Sequence, residues 1–250
     1  MSDNVRVTRE DSTTTITLAR PEKRNALSAA MMTDLTAALA EAGASDTLAV
    51  VIAADGPVFS AGHNFGDLAR ADLRAARELF LLCTTMMDTV QGIPQPVIAK
   101  VHALATAAGC QLVASCDLAI AADTAGFALP GGKGGLFCHT PLVAVSRNVG
   151  RKRALEMALT GDVIDAATAA DWGLINRAVP ADDLDAAVSD LVARVTRGSA
   201  MGRSIGKRTF YAQVGLEQRQ AYDIAVEVMA AAAWTRTASP GCTAYVLVVR

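Results

Sequence analysis

Several features that would assign the chain to a class of protein are absent from its sequence. The five cysteines lack C-x-x-C spacing, and an odd number in a chain of 250 residues does not form a disulfide framework. No apolar run approaches the ~18 residues of a membrane span, and the polar start from Met1 to Arg6 argues against a signal peptide. The sequence therefore predicts a cytoplasmic protein without a membrane segment.

An excess of charge is also missing. The formal net charge is −2, so no basic surplus favours nucleic acid or an anionic membrane as a partner. No G-x-G-x-x-G sequence is present, which argues against a Rossmann-type dehydrogenase. We predict no nucleic-acid partner, no membrane partner and no metal site.

The composition and the order of apolar patterns predict an α/β protein. Hydrophobic residues make up 52% of the chain, which is typical of a core-rich globular protein. Short β-rich or apolar stretches predict strands at 13–18, 48–52, 97–101 and 117–121. Amphipathic stretches predict helices at 28–42, 72–90 and 107–114. Ser28 is the expected N-cap and Gly43 the expected end of the first helix, and Leu73, Phe80, Cys83 and Met87 are expected to face inward from the second.

The second half of the chain has a different pattern. Helices are predicted at 151–159, 166–170, 183–197 and 217–233, with a short extended interruption at 173–176. This order indicates an α/β core followed by helices. The last residues depart from that pattern, because Ser239-Pro240-Gly241 breaks a helix and 245–249 is apolar and strand-like.

Two segments rich in small residues are the strongest functional signal. They are Val58 to Asn64 and Val101 to Gln111, and the second opens an apolar helical stretch. Small residues allow a backbone to approach a ligand closely, and the N-terminus of a helix presents free N–H groups and a favourable dipole. Two such N–H groups can bind the oxyanion of a thioester enolate.

At these residues the chain resembles the crotonase superfamily, that is, the enoyl-CoA hydratase/isomerase family. The resemblance covers about residues 13 to 230 and rests on segments in the family's order: 20–27, 59–63, 107–111, 116–121, 127–130 and 166–176. A run at 135–138, Gly-Leu-Phe-Cys, is similar to the enoyl-CoA hydratase domain-containing subgroup. The resemblance implies an α/β spiral of ββα units over 1–195, a helical C-terminal region with a divergent tail over 196–250, and homotrimers or dimers of trimers.

The resemblance also implies a site for an acyl-CoA thioester, with no further cofactor. By alignment with the family, the two N–H groups of the oxyanion hole belong to His63 and Ala108, where alanine is tolerable if its φ is negative. The implied residues of the acyl-CoA groove are Arg24, Ala26, Ala61, Gly62, His63, Phe65, Leu104, Ala107, Pro130 and Leu136.

At the two positions where the family's hydratases carry glutamates, this chain has Gln111 and Gly131. Neither can carry a proton, and general acid–base assistance contributes roughly 10²–10⁴-fold per group. His139 is the candidate for a displaced acid or base, because it is the only side chain of suitable pKa in its segment.

The predicted function is therefore that of an enoyl-CoA hydratase-like lyase of fatty-acid-type metabolism, with hydration itself in doubt. Two alternatives stay open. One is a non-catalytic acyl-CoA-binding pseudoenzyme, and the other is a different reaction of the same fold, such as isomerisation, thioester hydrolysis or decarboxylation.

Overall fold

A computed structural model of the chain describes residues 3–69 and 71–237. These residues form two compact units, which divide after Gly198. The sequence predicts this division at residue 195. The first unit contains all strands of the described residues and the second contains two helices, α9 (Ala200–Gln213) and α10 (Gln218–Thr237). No helix within the described ranges is long and apolar enough to cross a bilayer.

The first unit is built on two sheets. The larger has the order β1-β2-β3-β4-β6-β9, in which only the β1–β2 pair is antiparallel. The smaller has the order β5-β7-β8. The strands are β1 (Val5–Glu10), β2 (Thr13–Leu18), β3 (Ala49–Ala54), β4 (Val97–Val101), β5 (Ala105–Thr106), β6 (Leu118–Ala122), β7 (Gly126–Ala128), β8 (Ile164–Asp165) and β9 (Arg177–Val179).

Helices cover both faces of the larger sheet. The helices of this unit are α1 (Ala29–Ala44), α2 (Phe65–Leu68), α3 (Leu73–Gly92), α4 (Ala108–Ser115), α5 (His139–Val149), α6 (Arg151–Thr160), α7 (Ala166–Trp172) and α8 (Leu184–Val195). Side chains of α1, α3 and α4 share the main core with one face of the sheet. Side chains of α8 pack on the opposite face, against Val51, Ile98 and Ile120. Central strands buried on both faces explain why β3, β4 and β6 have nearly continuous apolar sequences.

The structure confirms the predicted α/β class with a helical C-terminal region. The Ser28 hydroxyl caps α1 by accepting the N–H of Met31 at 3.2 Å, as its position predicts. Gly43 does not end α1, which continues to Ala44. The predicted extended interruption at 173–176 is wrong, because a turn at Gly173 and bends at 174–176 occupy these residues and the strand begins at Arg177.

Other predictions differ from the structure at surfaces and ends. Leu73 is exposed, because α3 buries only its later turns around Leu79, Cys83 and Met87. Phe80 is half-buried rather than part of the core. The predicted helix break at 239–241 and the strand-like stretch at 245–249 lie outside the described residues.

Candidate functional site

A cavity of about 380 Å³ lies beside the N-terminus of α4. Its wall is mostly apolar and is formed by the segment after β3, by α3, by the residue before α4 and by residues 130–141. No Asp or Glu lines it within the described part of the chain. The predicted site residues that line it are Ala61, His63, Phe65, Ala107, Pro130, Gly131, Leu136 and His139.

The backbone N–H of His63 is left free by the way its neighbours are bonded. The N–H of Gly62 donates to the Ser60 hydroxyl at 3.3 Å. The N–H of Asn64 donates to the carbonyl of Leu27 at 3.2 Å. Within 3–69 and 71–237, no protein group accepts the N–H of His63. This N–H is therefore available to a group outside the protein.

The N–H of Ala108 is the second free donor. Ala107, at the N-cap of α4, has no side chain that could cap the helix, and the first helical bond runs from Gln111 N to Ala107 O at 3.0 Å. No acceptor for the Ala108 N–H is found among the described residues. Ala108 is not one of the non-glycine residues with positive φ, so the condition for an alanine at this position is met. The first N–H groups of a helix attract negative charge.

Gly62 brings the two donor-bearing segments into contact. Its φ is +84°, and a Cβ built on it would lie 2.8 Å from Ala107 Cβ and 3.1 Å from Ala108 N. Real Cβ atoms do not approach other atoms so closely, so only glycine allows this spacing. His63 follows Gly62, and Ala108 follows Ala107. The free N–H groups of His63 and Ala108 therefore both lie at this contact.

Asn25 and Ser60 fix the first of these segments. The Asn25 carboxamide is fully buried, donates to the carbonyls of Asp55 at 2.8 Å and Val58 at 3.1 Å, and accepts the N–H of Arg20 at 2.9 Å. The Ser60 hydroxyl donates to the carbonyl of Asn25 at 2.8 Å. The turn at 20–25 and the loop after β3 are thereby joined into one rigid support for His63.

Ala107 stores backbone strain beside the site. Its φ of 49° and ψ of −118° lie in a region that glycine occupies more easily. Such a conformation costs roughly 1–3 kcal/mol, and a glycine would lose only about 0.5–1 kcal/mol through chain entropy.

We expect Ala107→Gly to stabilise the protein by up to about 2 kcal/mol, measured by urea unfolding. The matched control, Ala108→Gly, relieves no strain and is expected to destabilise slightly. Equal shifts in both variants would contradict this reading.

The buried side chain of Gln111 lies beside a thiol. Its side chain is 5% exposed, and the Cys83 thiol of α3 lies 4.0 Å from its Oε1, as a weak donor. Burial raises the pKa of Cys83 to about 12, so the thiol keeps its proton at neutral pH. The Gln111 oxygen therefore faces a neutral thiol.

Gly131 lies where its own loop leaves no room for a side chain. A Cβ at this position would overlap the carbonyl oxygen of Leu136 and lie 2.7 Å from Cys138 Sγ. The loop is closed by Leu136 N donating to Gly131 O at 3.0 Å and by Gly131 N donating to Cys138 Sγ at 3.3 Å. The backbone of residues 136–138 therefore fills the space that a side chain at 131 would need.

Two histidines line the cavity in different surroundings. Burial lowers the pKa of His63, although the nearby charge of Asp67 acts in the opposite direction. His63 is therefore a neutral imidazole at pH 7, and it packs edge-on to Phe80 with ring centres 5.2 Å apart. His139 begins α5, and its ring lies 5.0 Å from that of Phe137.

Some predicted groove residues lie away from the cavity lining. Gly62, Ala108 and Gln111 are buried behind it, and Leu104 accepts the N–H of Phe59 at 2.9 Å through its carbonyl. Arg24 and Ala26 are in the turn that precedes α1. Ala26 lines a smaller cavity of about 140 Å³ together with Arg20 and Lys23. The predicted residues are thus divided among the main cavity, the basic pocket beside Ala26, and positions that line neither.

Sequence reasoning missed part of the lining. The additional lining residues are Phe80, Gly134, Phe137, Cys138, Thr140 and Pro141. Those after Gly134 belong to the closed loop and the first turn of α5, and the Gly-Leu-Phe-Cys run was the available signal. Within the described ranges there is no group of three or more His, Cys, Asp or Glu side chains that could hold a metal ion. Residues 202–206 have the sequence G-x-S-x-G, which in serine hydrolases marks a strand-to-helix turn, but here they lie inside α9.

Comparisons with known proteins agree with this architecture. Residues 8–247 match the family model described as enoyl-CoA hydratase/isomerase. The chain is 44% identical over 222 residues to enoyl-CoA hydratase domain-containing protein 3, mitochondrial, from Mus musculus, across 88% of this chain and 74% of that protein. The structure of an enoyl-CoA hydratase from Mycobacterium smegmatis superposes with a TM-score of 0.90 at 42% identity, covering 92% of this chain and 91% of that one. Human enoyl-CoA hydratase domain-containing protein 3 gives a TM-score of 0.89 at 39% identity, covering 96% and 94%. The resemblance to the crotonase superfamily is confirmed, and the chain belongs to the enoyl-CoA hydratase/isomerase family.

Proposed function

We propose that the chain acts on acyl-CoA thioesters by stabilising an enolate. In this proposal the N–H groups of His63 and Ala108 bind the thioester oxygen as it becomes negatively charged. The observation that carries the proposal is the pair of unpaired N–H groups on two segments in contact at Gly62, beside an apolar cavity. One donor of this kind contributes roughly 2.7–4 kcal/mol to the transition state.

The basic pocket supports a role for the turn before α1 in holding coenzyme A. Lys23 and Arg20 lie there beside Ala26, and phosphate groups are bound by such cations. Arg20 is also paired with Glu22 at 2.6 Å, so Lys23 and the nearby Arg24 are the better candidates for phosphate. CoA thioester is the substrate in this proposal, and no further cofactor is needed.

The proposal does not extend to efficient hydration. Hydration requires groups that take a proton from water and return one to carbon, and each contributes roughly 10²–10⁴-fold. Gln111 is a neutral amide whose oxygen faces the Cys83 thiol, and position 131 has no room for a carboxylate. A non-catalytic acyl-CoA-binding role is the second candidate, and the same two positions favour it.

A comparison of binding and turnover tests the proposal. Crotonyl-CoA and longer enoyl-CoA esters are titrated by calorimetry, and hydration is followed by mass spectrometry. We expect binding with little hydration, and weaker binding of the matching S-alkyl CoA thioether, which has no carbonyl oxygen. Equal affinities for thioester and thioether would show that the two N–H groups do not bind that oxygen. Binding with no reaction of any acyl-CoA would favour the non-catalytic role.

His139 is proposed as the proton carrier. We expect His139→Ala to slow the exchange of the α-protons of butyryl-CoA in D₂O by roughly 10²–10⁴-fold, measured by mass spectrometry. His102→Ala is the matched control, because His102 lies outside the cavity lining with its Nε2 2.8 Å from the carbonyl of Gly56. Exchange by the His139 variant at the parent rate would remove His139 from this role.

Assembly, location and pathway are also proposals. Membership of the family favours a homotrimer or a dimer of trimers and a place in fatty-acid-type metabolism. A cytoplasmic location is the expectation from the sequence, whereas the mouse relative is named as a mitochondrial protein. Sedimentation tests the assembly, and cell fractionation tests the location.

A further inference from the structure

A thiol lies in the wall of the candidate cavity. Four cysteines fall within the described residues, and all of them are free. Cys83, Cys110 and Cys116 lie outside the cavity lining, whereas Cys138 belongs to it, although the residue is only 5% exposed. Neither acyl-CoA binding nor enolate stabilisation uses this sulfur. A thiol inside a pocket for thioesters is a group that can react with a bound ester.

The position of the sulfur is fixed by Gly131. The N–H of Gly131 donates to Cys138 Sγ at 3.3 Å, and a Cβ built on Gly131 would lie 2.7 Å from the same sulfur. The sulfur therefore lies in the direction that a side chain at 131 would take. By the resemblance, this is the position at which the family's hydratases carry a glutamate. In this chain, the reactive group beside position 131 is the thiol.

The surroundings of Cys138 favour negative charge on the sulfur once a base takes its proton. Burial raises the pKa of the Cys138 thiol, and the N–H of Gly131 acts in the opposite direction. The thiol therefore keeps its proton at neutral pH and needs a base in order to act as a nucleophile. His139 follows it and lines the same cavity, and its imidazole can take that proton. Cys138 is also the N-cap of α5, a helix of 11 residues whose dipole stabilises a developing thiolate.

We propose, as a step that rests on the function proposed above, that Cys138 forms a covalent adduct with α,β-unsaturated acyl-CoA thioesters by conjugate addition. An enoyl thioester whose oxygen is held by the N–H groups of His63 and Ala108 has its electrophilic β-carbon three bonds from that oxygen. The same N–H groups stabilise the enolate that forms when a nucleophile adds to this carbon. Binding thus brings the β-carbon into the cavity that contains the thiol, and such proximity replaces a slow bimolecular encounter.

The addition is balanced without any further reactant. The Cys138 sulfur forms a bond to the β-carbon, and the electron pair of the carbon–carbon double bond moves into the enolate. His139 takes the thiol proton and delivers it to the α-carbon, while the enolate returns to a thioester. Nothing leaves, and nothing is oxidised or reduced. The product is a thioether that joins the chain to a saturated acyl-CoA.

The lack of carboxylates in the cavity protects the bound ester from water. Within the described residues, no Asp or Glu lines the cavity, and a general base that activates water contributes roughly 10²–10⁴-fold. Gln111 is a neutral amide and gives no such help. Water is then a poor competitor for the β-carbon, and the ester stays available to the thiol. Little hydration and formation of an adduct are therefore expected together.

The test incubates the full chain with crotonyl-CoA at neutral pH and follows the intact mass with time. We expect one adduct per chain, with the added mass of one crotonyl-CoA, and we expect peptide mapping to locate it at Cys138. Through proximity, it is expected to form at least roughly 10²-fold faster than with an equal concentration of N-acetylcysteine. Butyryl-CoA has the same chain length but no double bond. It is the matched ligand control and is expected to bind without forming an adduct.

Variants of the cysteines and histidines assign the roles. Cys138→Ser is expected to form no adduct, because its hydroxyl is a far weaker nucleophile. Cys116→Ser changes a buried cysteine outside the cavity and is expected to react like the parent. His139→Ala is expected to slow adduct formation roughly 10²–10⁴-fold by removing the base, and His102→Ala is its control.

Three results would overturn the inference. Crotonyl-CoA that binds without forming an adduct rejects covalent capture and leaves the proposed function standing. Failure to bind any acyl-CoA rejects both. An adduct that maps to another cysteine, or that forms equally fast in a folded Cys138→Ser variant, removes Cys138 from this role. Circular dichroism of each variant separates these outcomes from a failure to fold.

Discussion

A glutamate introduced at position 131 is expected to destabilise the protein and to leave hydration no faster. The first side-chain carbon of the new residue would overlap the carbonyl oxygen of Leu136 and crowd Cys138 Sγ at 2.7 Å. The Leu136 oxygen belongs to the backbone and cannot swing away, and the Cys138 thiol is held by the N–H of Gly131. Two hydrogen bonds that close the loop, Leu136 N to Gly131 O and Gly131 N to Cys138 Sγ, would have to lengthen or break. We expect a loss of about 3 kcal/mol or more.

Thermal unfolding and a hydration assay check this expectation together. A loss of that size lowers the melting temperature of a chain this long by roughly 6–12 °C. The matched control is Gly132→Ala, because a Cβ at the next position meets only ordinary contacts, with Ala158 O at 3.6 Å. A Gly131→Glu variant that is as stable as the control and hydrates crotonyl-CoA efficiently would show that the loop opens at little cost.

The second large effect is expected at Gly62. Gly62→Ala places a Cβ 2.8 Å from Ala107 Cβ and 2.9 Å from the carbonyl oxygen of Thr106, in a residue whose φ is +84°. The left-handed conformation costs roughly 1–2 kcal/mol and the crowding another 1–3 kcal/mol or so. Relief of the clash requires the segment that carries His63 to move away from the start of α4. We therefore expect loss of stability together with loss of thioester binding.

Stability and thioester affinity are measured separately, so that an effect of Gly62→Ala on folding is distinguished from an effect on binding. Affinity for butyryl-CoA is measured at a temperature where the variant is still folded, and we expect it to fall roughly two- to tenfold, as for the loss of one neutral hydrogen bond of about 0.5–1.5 kcal/mol. Gly92→Ala is the control, since nothing lies within 4 Å of a Cβ built there and its φ is not positive. Parent-like affinity in a folded Gly62→Ala variant would contradict the pairing of the two N–H groups.

The elements that the sequence predicts well are those with a local signal. The apolar runs of β3 and β4 and the Ser28 cap of α1 depend on residues that are neighbours in the chain, and the structure contains all three. Strand β1 was missed because five of its six residues are exposed and it lies at the edge of the sheet. Strands β5 and β8 have two residues each, too few to give a pattern.

The features of the candidate site are also hard to predict where they have no local sequence signal. A backbone N–H has no residue type of its own, so the roles of His63 and Ala108 came from resemblance and remain proposals. The closure at Gly131 depends on Leu136 and Cys138, which reach it only once the loop has folded. Ala107, with its positive φ, donates its N–H to the carbonyl of Ala128 and lies against Gly62, more than forty positions away in the sequence. Such non-local contacts cannot be predicted from the pattern around any one of these residues.

The closed loop also restricts how this chain can change over generations. A single mutation of codon 131 does not place a carboxylate in the site, because the backbone of residues 136–138 would first have to move away. Each step on that route lowers stability before any new chemistry appears, and proteins tolerate few such steps. Descendants of this chain are therefore expected to diversify through Gln111, His139 and the apolar wall, while the glycine and the loop that encloses it are inherited together.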